Sequence, residues 1–201
     1  MAGRPREFDR ERALEQAMLL FWERGYDATS MSDLTEALGI GRQSLYGTFG
    51  DKRALFLACL ERYVEGVLKV GVFDPLAADG SPLANVRRVL DGWEAYALSQ
   101  DFRGCLLGKS LSELGQREPE LDRIMRSKLD RMHESLERAL KAAKKRGELS
   151  ASADPRVLAR ALTAFSQGAG MVCQVWREPE LVQQTLQGAR ALLAAFSTSE
   201  A

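Results

Sequence analysis

Apolar residues recur along this chain at intervals of three and four, and no stretch alternates with the two-residue period of a half-buried strand, so the pattern predicts an all-α fold. Asp9 caps a first helix with Ala13, Leu14, Ala17, Leu20 and Phe21 on one face, and Gly25 ends it. Between Ser30 and Phe49 the pattern tightens into two short helices. Ser30 stands at an N-cap with Asp33 three residues later, as in a capping box; Leu34 and Leu38 share a face, and Gly39 supplies a left-handed stop. Ile40 anchors the turn and Gly41 opens the second short helix, which has only Leu45 and Phe49 to bury. Asp51 caps a longer helix whose stripe, Leu55, Phe56, Cys59, Leu60, Tyr63, Val64, Val67 and Leu68, outruns a small domain and should tie it to the C-terminal helices. Val72 to Pro82 concentrates Gly, Pro and Asp and reads as a loop. Helices then resume near Leu83–Ser99, Cys105–Leu114, Pro119–Arg146, Pro155–Trp176 and Pro179–Phe196, with prolines at three starts, where a missing N–H costs least. Residues 1–50 are expected to form one domain and residues 51–201 a second, larger one.

What the second short helix leaves outside gives the pattern its meaning. Arg42, Gln43, Ser44, Tyr46, Gly47 and Thr48 offer donors, acceptors and a phenol, and little that a core would want. A hairpin that merely packs has no reason to collect these on one face, whereas base and phosphate contacts need such side chains. Two short helices around a Gly-containing turn predict a helix-turn-helix whose second helix enters a major groove of double-stranded DNA. Arg42, Gln43, Ser44 and Tyr46 are expected at base edges or adjacent phosphates; Thr29, Thr48 and Lys52, at helix starts, are expected to hold the backbone.

At these residues the chain resembles a known family. GIGRQSLYGTFGDKRALF, Gly39 to Phe56, is similar to the segment of TetR-type regulators in which a Leu-Tyr pair is followed by Phe and Lys, here Leu45, Tyr46, Phe49 and Lys52. With the helix from Asp9, the likeness covers the first quarter to third of the chain. Gly41 departs from the Ser or Thr usual at that cap, and Thr35 from a usual Ala. The resemblance implies a repressor that binds a palindromic operator as a homodimer, with C-terminal helices that form an effector pocket, and release when an effector shifts the helix after Asp51. An activator or architectural DNA binder without ligand control is the alternative, and an interaction-only helical bundle the third.

Charge adds nothing to the DNA reading by amount. Lys and Arg balance Asp and Glu at 28 each, and residues 1–60 hold eight basic against nine acidic side chains, 8 − 9 = −1. Placement has to carry it: Arg42, Lys52 and Arg53 on one surface, with Arg4 and Arg6 either a solvated tip or an arm for the minor groove. Lys144, Lys145 and Arg146 close a long helix, where cations suit the dipole. No signal peptide or membrane span is read, which points to a cytoplasmic protein without a membrane partner. Three cysteines and one histidine fit neither a disulfide framework nor a metal site, and no cofactor is implied. RGCLLGKS misses the first glycine of a phosphate loop, which falls on Arg103, and no strand precedes it; His133 has no nucleophile that sequence can place beside it. The chain is not read as an enzyme.

Tyr63, Val67, Trp93, Tyr96, Cys105, Met132, Phe165 and Trp176 are the candidate lining of a pocket for a small lipophilic effector, and the same residues would serve an ordinary core. Ala161, Gly168, Ala169, Val172, Leu186, Ala189 and Leu193 on the last two helices are the candidate dimer face, their small residues permitting close approach. Cys105 stands at a helix start near Arg103 and Lys109, surroundings that favour a thiolate. GCLLGKS also resembles a segment of those TetR-type repressors that answer reactive electrophiles through a cysteine. Here only Cys173 or Lys109 would serve as its partner, and a buried structural role for Cys105 stays open.

Overall fold

The computed structural model describes residues 8–198, apart from the side chain of Gln116; Arg4 and Arg6 lie outside the described residues. Among these the fold is helical, with a single isolated bridge between Leu149 and Ser197. The helices are α1 Arg10–Arg24, α2 Met31–Leu38, α3 Arg42–Phe49, α4 Lys52–Tyr63, α5 Asp74–Ala77, α6 Pro82–Ala97, α7 Leu106–Leu114, α8 Pro119–Lys145, α9 Pro155–Val175 and α10 Pro179–Ala194. They divide into two compact units: Met1–Gly66 with Leu106–Ile124, and Val67–Cys105 with Met125–Ala201.

In the first unit α1 packs along α4, and α2 and α3 close over them with Leu34, Leu45, Phe21 and Phe56 fully buried. Phe21 meets Phe56 edge-on at 5.2 Å, and Trp22 meets Tyr63 at 5.0 Å. Cys59 is buried beneath them, which pushes its thiol well above the usual range.

Two departures from the apolar pattern occur together. After Tyr63 the chain continues as a π-helical run, Val64–Phe73, not as α-helix. Two glycines and four valines in ten residues weaken the α-helix there, and the wider turn buries Leu68 together with Val72 and Phe73, four and five residues on. Val67, expected on the stripe, is therefore turned outward and 40% exposed. The expected loop from Val72 is likewise helical as far as Ala77, because Asp74 and Pro75 suit a helix start. In the second unit α6 packs between α5 and α10, and α9 against α10. Lys144 donates to the carbonyls of Ala151 and Ala153, and Arg146 to that of Gly80, so the cations ending α8 fasten loops.

Candidate nucleic-acid interface

Local chemistry fixes the geometry of α2 and α3. Ser30 Oγ accepts from the Asp33 N–H at 3.1 Å, and the Asp33 carboxylate accepts from the Ser30 N–H at 2.7 Å, a complete capping box. The Ser30 hydroxyl, which donates to the Asp33 carboxylate at 2.5 Å, and after it the Ser30 N–H hold that carboxyl below its ordinary range. Gly39 ends α2 in the left-handed conformation, φ 63°. Gly41 gives α3 no side-chain cap, and the space around it is open. Leu45 and Phe49 are buried, whereas Arg42, Gln43, Ser44 and Tyr46 stand exposed on the opposite face and Thr48 is half-buried beside them. The Arg42 guanidinium lies 5.8 Å from the Tyr46 ring centroid, so cation and phenol are presented together. Lys52 is half-buried, with its ammonium 4.2 Å from the centroid of the Tyr26 ring.

Thr29 occupies a different place from the one expected of it. It is fully buried, and its hydroxyl donates to the Gly25 carbonyl at 2.6 Å, so it braces the turn before α2 and has no free side-chain donor for a phosphate. Arg53 is also committed, through paired bonds of 2.7 and 2.6 Å to Glu118. That contact holds the Glu118 carboxyl below the usual range, reinforced by the Glu120 N–H.

Sequence reasoning missed the clamp on the turn between α1 and α2. Lys109 of α7 donates to the carbonyls of Trp22 and Glu23 at 2.9 and 2.8 Å, where α1 ends in unpaired acceptors. Glu113 accepts from the N–H groups of Tyr26 and Asp27 at 2.9 and 2.7 Å, and Arg117 reaches Asp27 at 3.0 Å. Gly25 lies so close beneath that a Cβ there would stand 2.7 Å from Glu113 Oε2, and its φ of 88° is foreign to other residues. One signal for this was present: α7 carries Lys109 and Glu113 at i and i+4, on one face of a helix.

Comparison with known proteins agrees with this geometry. Residues 13–59 match the family model described as bacterial regulatory proteins, tetR family, and residues 82–189 match the tetracyclin repressor-like C-terminal domain. The chain belongs to the TetR family. It is 33% identical to the HTH-type transcriptional regulator YezE of Bacillus subtilis, over 90% of this chain and 94% of that one. The HTH-type transcriptional repressor ComR of Escherichia coli is 31% identical over 83% and 80% of the two chains. A cysteine mutant of the TetR-family regulator CifR, solved with a 26-base-pair operator, superposes with a TM-score of 0.79 at 29% identity, over 96% of this chain and 100% of that one. Membership makes this chain a helix-turn-helix transcriptional regulator and not an enzyme.

The second unit of this TetR-family chain sorts the remaining candidates. Trp93 and Phe165, with Ala97 and Phe102, pack on buried Cys173, Val182 and Leu186. Tyr96 meets Phe102 edge-on at 5.1 Å, and its hydroxyl accepts from the Arg103 N–H at 3.2 Å and donates to the Gly104 carbonyl at 3.4 Å. Gln174 donates to the Arg103 carbonyl at 2.7 Å across Gly104, which has no room for a Cβ. Together they pin the turn that carries half-buried Cys105, which lies within electrostatic reach of Tyr96 and Lys128. Met132 is buried beside the Ser166 hydroxyl. Tyr63, by contrast, packs in the first unit on Trp22, and Val67 and Trp176 are exposed. Of the expected dimer positions, Ala169, Leu186, Ala189 and Leu193 are already buried within one chain, because their side of α9 and α10 faces the unit's own core. Ala161 and Val172 are half-buried and Gly168 is exposed, on the side of α9 that also shows Val157, Met171 and Val175. No described helix is long and apolar enough to cross a membrane.

Proposed function

We propose that the chain is a repressor that binds a two-fold symmetric operator as a homodimer and leaves it when a small lipophilic or reactive effector enters the second unit. The observation that carries the reading is the division of α3, with Leu45 and Phe49 buried and Arg42, Gln43, Ser44 and Tyr46 all exposed together. Those side chains read base edges, and Thr48 and Lys52 contact phosphates. The apolar residues left open on α9, Val157, Met171 and Val175, supply the two-fold contact with Gly168 allowing close approach. Such a contact sets two recognition helices about 34–36 Å apart, one duplex turn. Lys109, Glu113 and Arg117 support a route for release, since any shift of α7 pulls on the turn before α2. For a reactive effector the acceptor is the Cys105 thiol. Its partner is not Lys109, which is spent on the carbonyls of α1.

A gel-shift titration with the promoter regions beside the protein's own gene tests this reading. One palindromic fragment should be retained at salt concentrations that abolish binding to random duplex. Equal retention of all fragments would leave only an architectural role. Sedimentation should give a dimer at micromolar concentration, and a stable monomer would refute the two-fold arrangement.

A further inference from the structure

Among the described residues of the second unit, Lys128 is a charged side chain that is buried with no counter-charge beside it. Lys128 of α8 is 2% exposed and makes neither a hydrogen bond nor an ion pair with any described residue. The acids that come after it on α8 are turned away or taken: Asp130 and Glu134 are exposed, and Glu137 carries Lys141 at 2.6 Å and His133 at 3.2 Å. Burial accordingly pushes the Lys128 amine below its usual range, opposed only by Cys105. A buried ammonium without a partner opposes folding, so its presence calls for a use. Two sets of neighbours lead from it to one apolar wall. Cys105 lies within electrostatic reach of both Lys128 and Tyr96, and the Tyr96 ring meets edge-on that of Phe102, which packs on the same buried cluster as Trp93 and Phe165. Met132, one helical turn beyond Lys128, touches Ser166 of α9, the helix that carries Phe165.

We propose that Lys128 is an anion anchor: it pairs with the carboxylate of a lipophilic acid whose apolar body lies against Tyr96, Phe102 and Trp93. This narrows the effector class of the proposed repressor and rests on that function for its regulatory meaning, though not for binding itself. The acid supplies the counter-charge the fold omits, and the aromatic wall takes a body with no further charge. A neutral compound of the same shape gains only the second of these.

Isothermal titration of the full-length protein with 4-phenylbutyrate and with 4-phenylbutyramide tests the anchor. The wild type should bind the acid roughly tenfold or more tightly than the amide. In Lys128→Met that preference should fall to about twofold or less while amide binding persists, and in Lys128→Arg it should largely survive. Lys128→Met should melt no lower than wild type, since it removes an unpaired charge. Failure of the acid to bind, equal binding of acid and amide by the wild type, or an undiminished preference in Lys128→Met would each overturn the anchor. Operator release is scored separately by gel shift. Acid binding without release would defeat the effector reading and leave the anchor, whereas release by other compounds without acid binding would defeat the anchor alone.

Discussion

Replacing Glu113 by alanine should unfasten the turn before α2 without touching α2 or α3. The Glu113 carboxylate accepts from the Tyr26 N–H at 2.9 Å in a part-buried position and from the Asp27 N–H at 2.7 Å at the surface. A hydrogen bond to a charged group contributes about 1.5–3 kcal/mol, but the Asp27 N–H recovers water when its acceptor goes. Tyr26 keeps the larger loss, and the net destabilisation should be about 2 kcal/mol. For a chain of this size that lowers the melting temperature by about 4–8 °C, readable by circular dichroism. A cycle with Gly25→Ala sharpens the test. In the wild type that substitution meets both a φ of 88° and the Glu113 oxygen 2.7 Å from the new Cβ; after Glu113→Ala only the backbone strain remains. The double variant should therefore be more stable than the two single effects predict when added. A melting temperature within about 1 °C of wild type for Glu113→Ala, or strict additivity in the cycle, would refute the clamp.

The same geometry predicts three further outcomes. Glu118 has its carboxyl held low by Arg53, so the pair stabilises the fold above the ordinary carboxylate range and this is lost as pH falls through the depressed value. The stability gap between wild type and Arg53→Met, measured by denaturation from pH 7 downward, should be constant near neutrality and close in acid; a gap that widens in acid would contradict the sign. Thr29→Val keeps the buried shape and loses the bond to Gly25, so it should cost about 1 kcal/mol in denaturant unfolding while operator affinity stays at the wild-type value. Gly41→Ser fills open space with a capping hydroxyl and should raise stability by a few tenths of a kcal/mol, seen as a higher denaturant midpoint at unchanged slope.

Much of the fold was legible because its punctuation is local. Asp9, Ser30 and Asp51 act on backbone groups within a few residues and each caps the helix expected of it, and the starting prolines stand in the first turn of theirs. The π-helical run was not legible, since Val64 and Val67 fit an α-helical stripe and only the accumulated glycines and valines argue otherwise. At the candidate interface, the exposed set on α3 could be read from periodicity, whereas Thr29 could not. Its hydroxyl is satisfied by a carbonyl four residues back, in a turn whose shape depends on Glu113, 88 positions beyond Gly25. Arg53 and Glu118 are likewise 65 residues apart, and no spacing rule links them. Nothing in the sequence separates Lys128 from the other lysines of α8; its burial does.

The most direct test of the central claim is fluorescence anisotropy with the protein's own palindrome and a scrambled duplex of equal length, for wild type, Arg42→Ala and Tyr46→Ala. The account predicts that these variants lose roughly 1–3 kcal/mol of affinity for the palindrome and little for the scrambled duplex, because base contacts carry the specificity. Wild-type affinity for the palindrome in both variants would contradict it.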